Sequence, residues 1–225
     1  LAEFLTWPAD HIVELPDTIP SSAAALVEPA AVAAHAIRSG SVTDVDRVAI
    51  IGIGTVGFLA CQIAAATGAH VDAFEIRQAP VDLLNEFEGI SAYRIPGVQY
   101  DKALDDASTG GGYDVVLDVA GHKSTPSEAV KLARHGGKIV LVAIYTEFSS
   151  IDFNSLVSTE KRIIGSLAYE QKDVEFVVDL MHRGQLKTEM LISEVISLDE
   201  VLSTGFQRMM AESKDVFRIL VNPRT

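Results

Sequence analysis

Three glycines, Gly52, Gly54 and Gly57 in VAIIGIGTVGFLA, have the spacing with which a backbone takes hold of a diphosphate. In a strand-turn-helix setting, Gly52 permits the tight turn and Gly54 lets the backbone approach a pyrophosphate. Gly57 lets the helix pack closely on the strand. Amides of the first helical turn, from Gly54 through Thr55 to Val56, then face the phosphates with the helix dipole behind them. A GxGxxG alone also fits a purely structural turn, so context decides. Here an apolar run at 48–51 precedes it, and Val56, Leu59, Ala60 and Ile63 follow on one helical face.

The acid that completes such a motif is Glu75, which ends VDAFE. A carboxylate there accepts hydrogen bonds from ribose hydroxyls and meets a 2′-phosphate as a like charge, which favours NAD over NADP. Arg77 is the counter-indication. It pairs with a 2′-phosphate if Glu75 turns away, and otherwise reads as a solvated surface charge or a stack on adenine.

Elements must exist to hold these groups. Short β-branched runs at 47–51, 70–75, 91–95, 113–120, 138–144 and 162–168 alternate with helical patterns starting near Thr55, Val81, Lys102, Thr125 and Ser155. That alternation predicts an α/β fold, a doubly wound six-stranded parallel sheet of the Rossmann type. A methyltransferase sheet shares the glycine turn and the acid after strand two, but ends in an antiparallel hairpin. Gly136 and Gly137 leading into KIVLVAI, then RIIGSLA, favour six parallel strands instead. Residues 1–20, punctuated by Pro8, Pro16 and Pro20, suit a strand pair from another domain. The tail from Lys172 reads as a helix ended by Gly184, a helix from near Leu198 and a strand at 216–221.

Composition narrows the partners. The 225 residues are 48% hydrophobic, enough for a buried core, and 18 basic against 31 acidic residues give a net charge of −13. Such a field repels phosphodiester backbones and anionic membranes, so neither nucleic acid nor membrane is an expected partner. No apolar stretch reaches the roughly 18–20 residues that span a bilayer; the longest candidate, 23–37, is broken by Glu28, Pro29 and His35. LAEFLTWPADH lacks the pattern of a signal peptide, and one thiol, Cys61 on the apolar side of its helix, fits a reducing cytoplasm.

The chain has no CxxC, HExxH or GxSxG, and its six histidines show no metal-ligand spacing. His122 and His135 read as loop residues. Glu28, inside AAALVEPAAVAAHAI, is the one acid in an apolar setting: it must sit at an exposed helix start, pair with a cation or bind a metal. Pro29 after it favours the helix start.

With these residues in place, the chain resembles the zinc-dependent medium-chain dehydrogenases of the alcohol dehydrogenase superfamily, in the branch of butanediol, sorbitol and threonine dehydrogenases. The matching stretches are AALVEPAAVAAHAI, VAIIGIGTVGFLACQIAAATGA, YDVVLDVAG, ARHGGKIVLVAIY, EKRIIGSLAY and FRILV. The segment 89–108 departs from the family's usual form. The resemblance implies three parts: 1–25 as a remnant of the GroES-like catalytic domain, 26–169 as the NAD-binding domain, and 170–225 as helices closing that domain with a last strand returning to the catalytic one.

It also implies roles. Gly52, Ile53, Gly54, Thr55, Val56 and Gly57 surround the pyrophosphate; Glu75, Ile76 and Arg77 attend the adenosine ribose; Val119 and Ala120 line the cleft. Val142, Ala143, Ile144, Ser166, Leu167 and Ala168 flank the nicotinamide. Glu28 becomes a zinc neighbour or ligand, which overrides the helix-start reading. Family chemistry is hydride transfer from a zinc-bound alkoxide to the coenzyme. The other zinc ligands belong upstream of residue 1, so the expected site is incomplete here. The expectation is the carboxy-terminal portion of a cytoplasmic, homodimeric or homotetrameric, NAD-linked dehydrogenase of secondary alcohols or vicinal diols. A non-catalytic NAD(P)-binding module and a zinc-free reductase of the same fold remain as alternatives.

Overall fold

The computed structural model describes residues 4–210 and 216–223. In chain order it forms α1 (Ser21–Ala24), α2 (Val27–Ser39), β1 (Arg47–Ile51), α3 (Thr55–Ala66), β2 (His70–Glu75), α4 (Gln78–Leu84) and β3 (Ile90–Arg94). There follow α5 (Val98–Ser108), β4 (Tyr113–Asp118), α6 (Thr125–Leu132), β5 (Ala133–Leu141), α7 (Phe153–Ser158) and β6 (Arg162–Gly165). The chain then runs through α8 (Gln171–His182), β7 (Ile192–Ser197), a π-helical segment Val201–Phe206, α9 (Gln207–Met210) and β8 (Arg218–Asn222).

Six strands form one sheet in the order β3-β2-β1-β4-β5-β6, and every pairing in it is parallel. The expected doubly wound sheet is therefore present, and an antiparallel methyltransferase hairpin is not part of it. The two-residue period of a strand sorts its side chains between two helical layers. Val48 and Ile50 of β1, with Val115, Leu117 and Val140, join the core under α2, α3 and α8. Ala49 and Ile51, with Val116 and Ile139, join the core under α5 and α6. Helix α3 is apolar nearly all round because it is covered nearly all round, with Gly57 through Ala64 buried. Its buried amide, Gln62, donates to the Lys187 carbonyl at 2.9 Å and accepts the Lys187 amide at 2.8 Å, tying the tail to the core.

Several expectations need correction. Strands β4, β5 and β6 stop at Asp118, Leu141 and Gly165, two to three residues early, because the chain turns outward at the sheet's edge. Helices α4 and α5 begin earlier than Val81 and Lys102. The Gly136-Gly137 pair lies within β5 rather than before it; Gly136 has φ +71° and the β4–β5 register shifts between Tyr113 and Val115, as a bulge requires. Residues 4–20 contain a short 3₁₀ turn, Ala9–His11, and no strand. The tail holds an additional strand, β7, which pairs with β8 in a separate parallel ribbon. No helix among the described residues is long and apolar enough to cross a membrane.

Helices α2 and α8 are clamped by a polar contact. Asp173, 3% exposed, accepts from Arg38 Nε at 2.8 Å and from the Glu170 amide at 2.8 Å, with His35 Nδ1 at 2.9 Å. Burial pushes the Asp173 carboxyl up, but Arg38, the Glu170 amide and His35 outweigh it and hold the group well below the usual carboxylate range. Asp173→Ala should lower the unfolding free energy by about 2–4 kcal/mol in urea at neutral pH. A depressed folded-state value means the stabilisation is present above the unfolded value of about 3.9 and fades as pH falls toward the folded one. The gap between parent and variant should therefore narrow below about pH 4; a gap constant down to about pH 3 would contradict the assignment.

Candidate coenzyme site

The turn between β1 and α3 gives its three glycines different tasks. Gly52 has φ +95°, and a Cβ there would lie 2.9 Å from Ala120 Cα. A Cβ on Gly57 would lie 1.9 Å from the Gly52 carbonyl oxygen, whereas one on Gly54 would meet nothing within 4 Å. Gly52 and Gly57 thus serve the fold, and Gly54 leaves bare backbone facing open space. No side chain caps α3, and its first internal bond, from the Phe58 amide to the Gly54 carbonyl at 2.8 Å, leaves the preceding amides without helical acceptors. Thr55 and Val56 are partly exposed. Ile53 is fully buried, and its amide donates to Glu75 Oε2 at 2.8 Å. It supports the turn rather than offering a free donor.

Glu75 is 6% exposed and heavily engaged. Oε1 accepts the Ile76 amide at 2.9 Å, the Arg77 amide at 3.2 Å and Arg77 Nε at 3.2 Å. Oε2 also accepts from an Arg77 terminal nitrogen at 3.0 Å, which donates to the Ile53 carbonyl at 3.0 Å. Burial pushes the Glu75 carboxyl up, while Arg77 and the Ile53 amide more than offset it and hold it below its ordinary value. The carboxylate is charged at neutral pH, and Arg77 stands as its partner.

Gly52, Gly54, Glu75, Ile76, Arg77, Val119 and Ala120 line one cavity of about 510 Å³ at the carboxyl ends of β1 to β4. Ile51, Phe74, Ile95, His122, Ser124, Thr125 and Glu128 complete its wall. His122, read from sequence as a loop residue, is thus also a cleft residue. Val142, Ala143, Ile144, Ser166, Leu167 and Ala168 lie outside this cavity, in the loops after β5 and β6. They are nonetheless stitched to the sheet: the Val142 amide donates to the Asp118 carbonyl at 3.0 Å and the Ser166 amide to the Leu141 carbonyl at 2.9 Å. Ser166 Oγ is buried without a hydrogen-bond partner.

Sequence reasoning passed over Asp118, which is fully buried. Its carboxylate accepts the amides of Ala120 and Gly121 at 3.1 and 3.3 Å and the hydroxyls of Thr125 and Tyr145 at 2.6 and 2.7 Å. An acid directly after the apolar run VVL in YDVVLD was the available signal.

Crevices of this kind, at the point where strand order reverses, hold dinucleotides across open α/β sheets. A family model described as zinc-binding dehydrogenase matches residues 55–183. The chain belongs to the zinc-binding dehydrogenase family.

The (R,R)-butanediol dehydrogenase of Bacillus subtilis (strain 168) is 29% identical over 99% of this zinc-binding dehydrogenase chain and 64% of its own length. The crystal structure of 2R,3R-butanediol dehydrogenase from Bacillus subtilis matches with a TM-score of 0.83 at 28% identity, covering 93% of this chain and 60% of that one. A zinc-binding dehydrogenase from Sinorhizobium meliloti 1021 bound to NADP matches with a TM-score of 0.82 at 27% identity, over 94% and 62% of the two chains. The chain therefore spans less than two thirds of the length of these relatives.

The family name implies a metal, so the donors matter. Glu28 is exposed in the first turn of α2, as the residue-based reading expected, where a carboxylate suits the dipole. It lines a second cavity of about 620 Å³ with Trp7, His11, Tyr169 and Gln171. No group of three or more His, Cys, Asp or Glu that could hold a metal occurs among the described residues. These residues do not by themselves make a zinc site. Cys61 is fully buried and burial pushes its thiol up, as a core residue rather than a ligand.

The glycines make a paired test. Gly54→Ala should leave the melting temperature within about 2 °C of the parent yet weaken NADH binding by about tenfold or more, since its methyl enters the cradle. Gly57→Ala should lower the melting temperature by about 8 °C or more. Equal effects of both variants on thermal melting would contradict the division of roles.

Proposed function

We propose that this chain is the coenzyme-binding portion of an NAD-linked dehydrogenase acting on a secondary alcohol or vicinal diol. The observation that carries the reading is Gly54: bare backbone at the uncapped start of α3, opening on the cavity that Glu75 also lines. A pyrophosphate fits there because amide donors and the helix dipole converge on it without a side chain in the way. The unsatisfied Ser166 hydroxyl at the end of β6 is compatible with a carboxamide on the far half of the ligand. When bound, the coenzyme supplies a hydride-accepting ring; the chain's residues bind and orient it.

Preference for NAD over NADP rests on Glu75. Its charge faces the position of a 2′-phosphate, and Arg77, the nearby cation, is held to Glu75 by two guanidinium bonds. A ribose diol can replace part of that pairing, whereas a phosphate has to overcome both the carboxylate and the loss of its counter-ion. A relative of the same fold is bound to NADP, so the fold alone does not decide for NAD; in this reading these two side chains do.

The diol substrate is proposed from the butanediol dehydrogenase relatives. In the same reading 1–25 and the final strand belong with a catalytic domain, 26–169 binds the coenzyme, and the whole enzyme is a cytoplasmic homodimer or homotetramer whose zinc draws on ligands beyond these residues. The β7–β8 ribbon supports the domain assignment, being separate from the main sheet.

A fluorescence titration of the chain with NADH and NADPH tests the coenzyme assignment. NADH should bind at least about tenfold more tightly, and Glu75→Gln should shrink that ratio. Equal affinities in the parent chain would overturn the role given to Glu75.

A further inference from the structure

Asp118 joins three segments that diverge from the sheet. Its carbonyl accepts the Val142 and Ala143 amides at 3.0 and 3.3 Å, so the loop after β5 hangs from it. One carboxylate oxygen holds the Ala120 and Gly121 amides after β4. The other takes the hydroxyl of Thr125 at the start of α6 and that of Tyr145 in the β5 loop. The two loops touch: Gly121 has φ +69°, and a Cβ on it would lie 2.9 Å from the Ala143 Cβ. Burial and the Asp118 charge push the Tyr145 phenol up, so it donates at neutral pH.

Ile144 stands between these two anchors, the Ala143 amide and the Tyr145 hydroxyl, and is 82% exposed. A large apolar side chain left in solvent between two anchored neighbours is a ready surface for a flat ring. Strand order places that ring. With Glu75 at the end of β2 and the glycine turn at the end of β1, a dinucleotide crossing the switch point lays its second half over β4 to β6.

We propose that the Tyr145–Asp118 hydrogen bond is a positioning device for the nicotinamide half of the coenzyme, fixing the β5 loop so that Ile144 meets the ring. The proposal rests on the dinucleotide-binding reading above. Tyr145 is a positioning residue: it acts through the loop and need not touch the ligand.

The test compares NADH with ADP-ribose, which shares the adenosine diphosphate and lacks the nicotinamide. Tyr145→Phe should weaken NADH by about tenfold while changing ADP-ribose affinity less than about twofold. It should also reduce the enhancement and blue shift of bound NADH emission, which report the surroundings of the ring. Asp118→Asn should show the same selective loss, and the double variant should lose little more than Asp118→Asn alone. Parallel losses for both ligands, or none for either, in chains that still melt cooperatively would overturn the proposal. Failure of the parent chain to bind ADP-ribose or NADH would instead overturn the coenzyme reading beneath it.

Discussion

The fold turns on the approach of α3 to the end of β1, where a Cβ at Gly57 would sit 1.9 Å from the Gly52 carbonyl oxygen. Only two glycines permit that crossing. It allows the apolar α3 to lie flat on the sheet, burying Phe58, Leu59, Cys61 and Ile63, and it points the helix's uncapped end at the crevice. Packing and binding therefore share one constraint. The helix is close enough to stabilise the core because no side chain intervenes, and the same bare backbone is what a phosphate can reach.

Around that crossing, polar residues appear where strands end. Glu75 closes β2 by gathering the Ile53, Ile76 and Arg77 amides, and Asp118 closes β4 by gathering those of Ala120 and Gly121. Each carboxylate satisfies backbone donors that leave the ladder at the sheet's edge, and a buried acid is tolerable because it is saturated with donors. The two differ in what else they hold. Glu75 pairs with the guanidinium of Arg77, whereas Asp118 takes two neutral hydroxyls and ties the loops after β4 and β5 together.

The main sheet was legible because its central strands β1, β2 and β4 are apolar runs buried on both faces, and β1 and β2 have the expected limits. The glycine turn and Glu75 were equally plain, since their types and spacing carry the geometry. The ends of β4 to β6 were overestimated because apolar character continues into VA, VAI and SLA, whereas pairing stops where neighbouring backbone diverges. Strand β7 escaped notice: ISEVIS alternates only weakly, and its partner β8 lies outside the six-stranded sheet. The strand pair expected within residues 1–20 did not form in the described part, because an extended segment becomes a strand only beside a neighbour that accepts its ladder. Asp118 was hidden for a different reason. Its partners lie 2 to 27 residues away, in two loops and at the start of α6, which only the folded sheet brings together.

A nicotinamide dinucleotide bound at the glycine turn would fill the cavity at the ends of β1 to β4 and extend its second half toward the loop after β5. An amide NMR spectrum of the chain titrated with NADH tests this placement most directly. Binding along this path should shift the amides of Thr55 and Val56, of Val119 through Gly121, and of Ile144. Shifts confined to the neighbourhood of Glu28 and His11, or none at the start of α3, would contradict it.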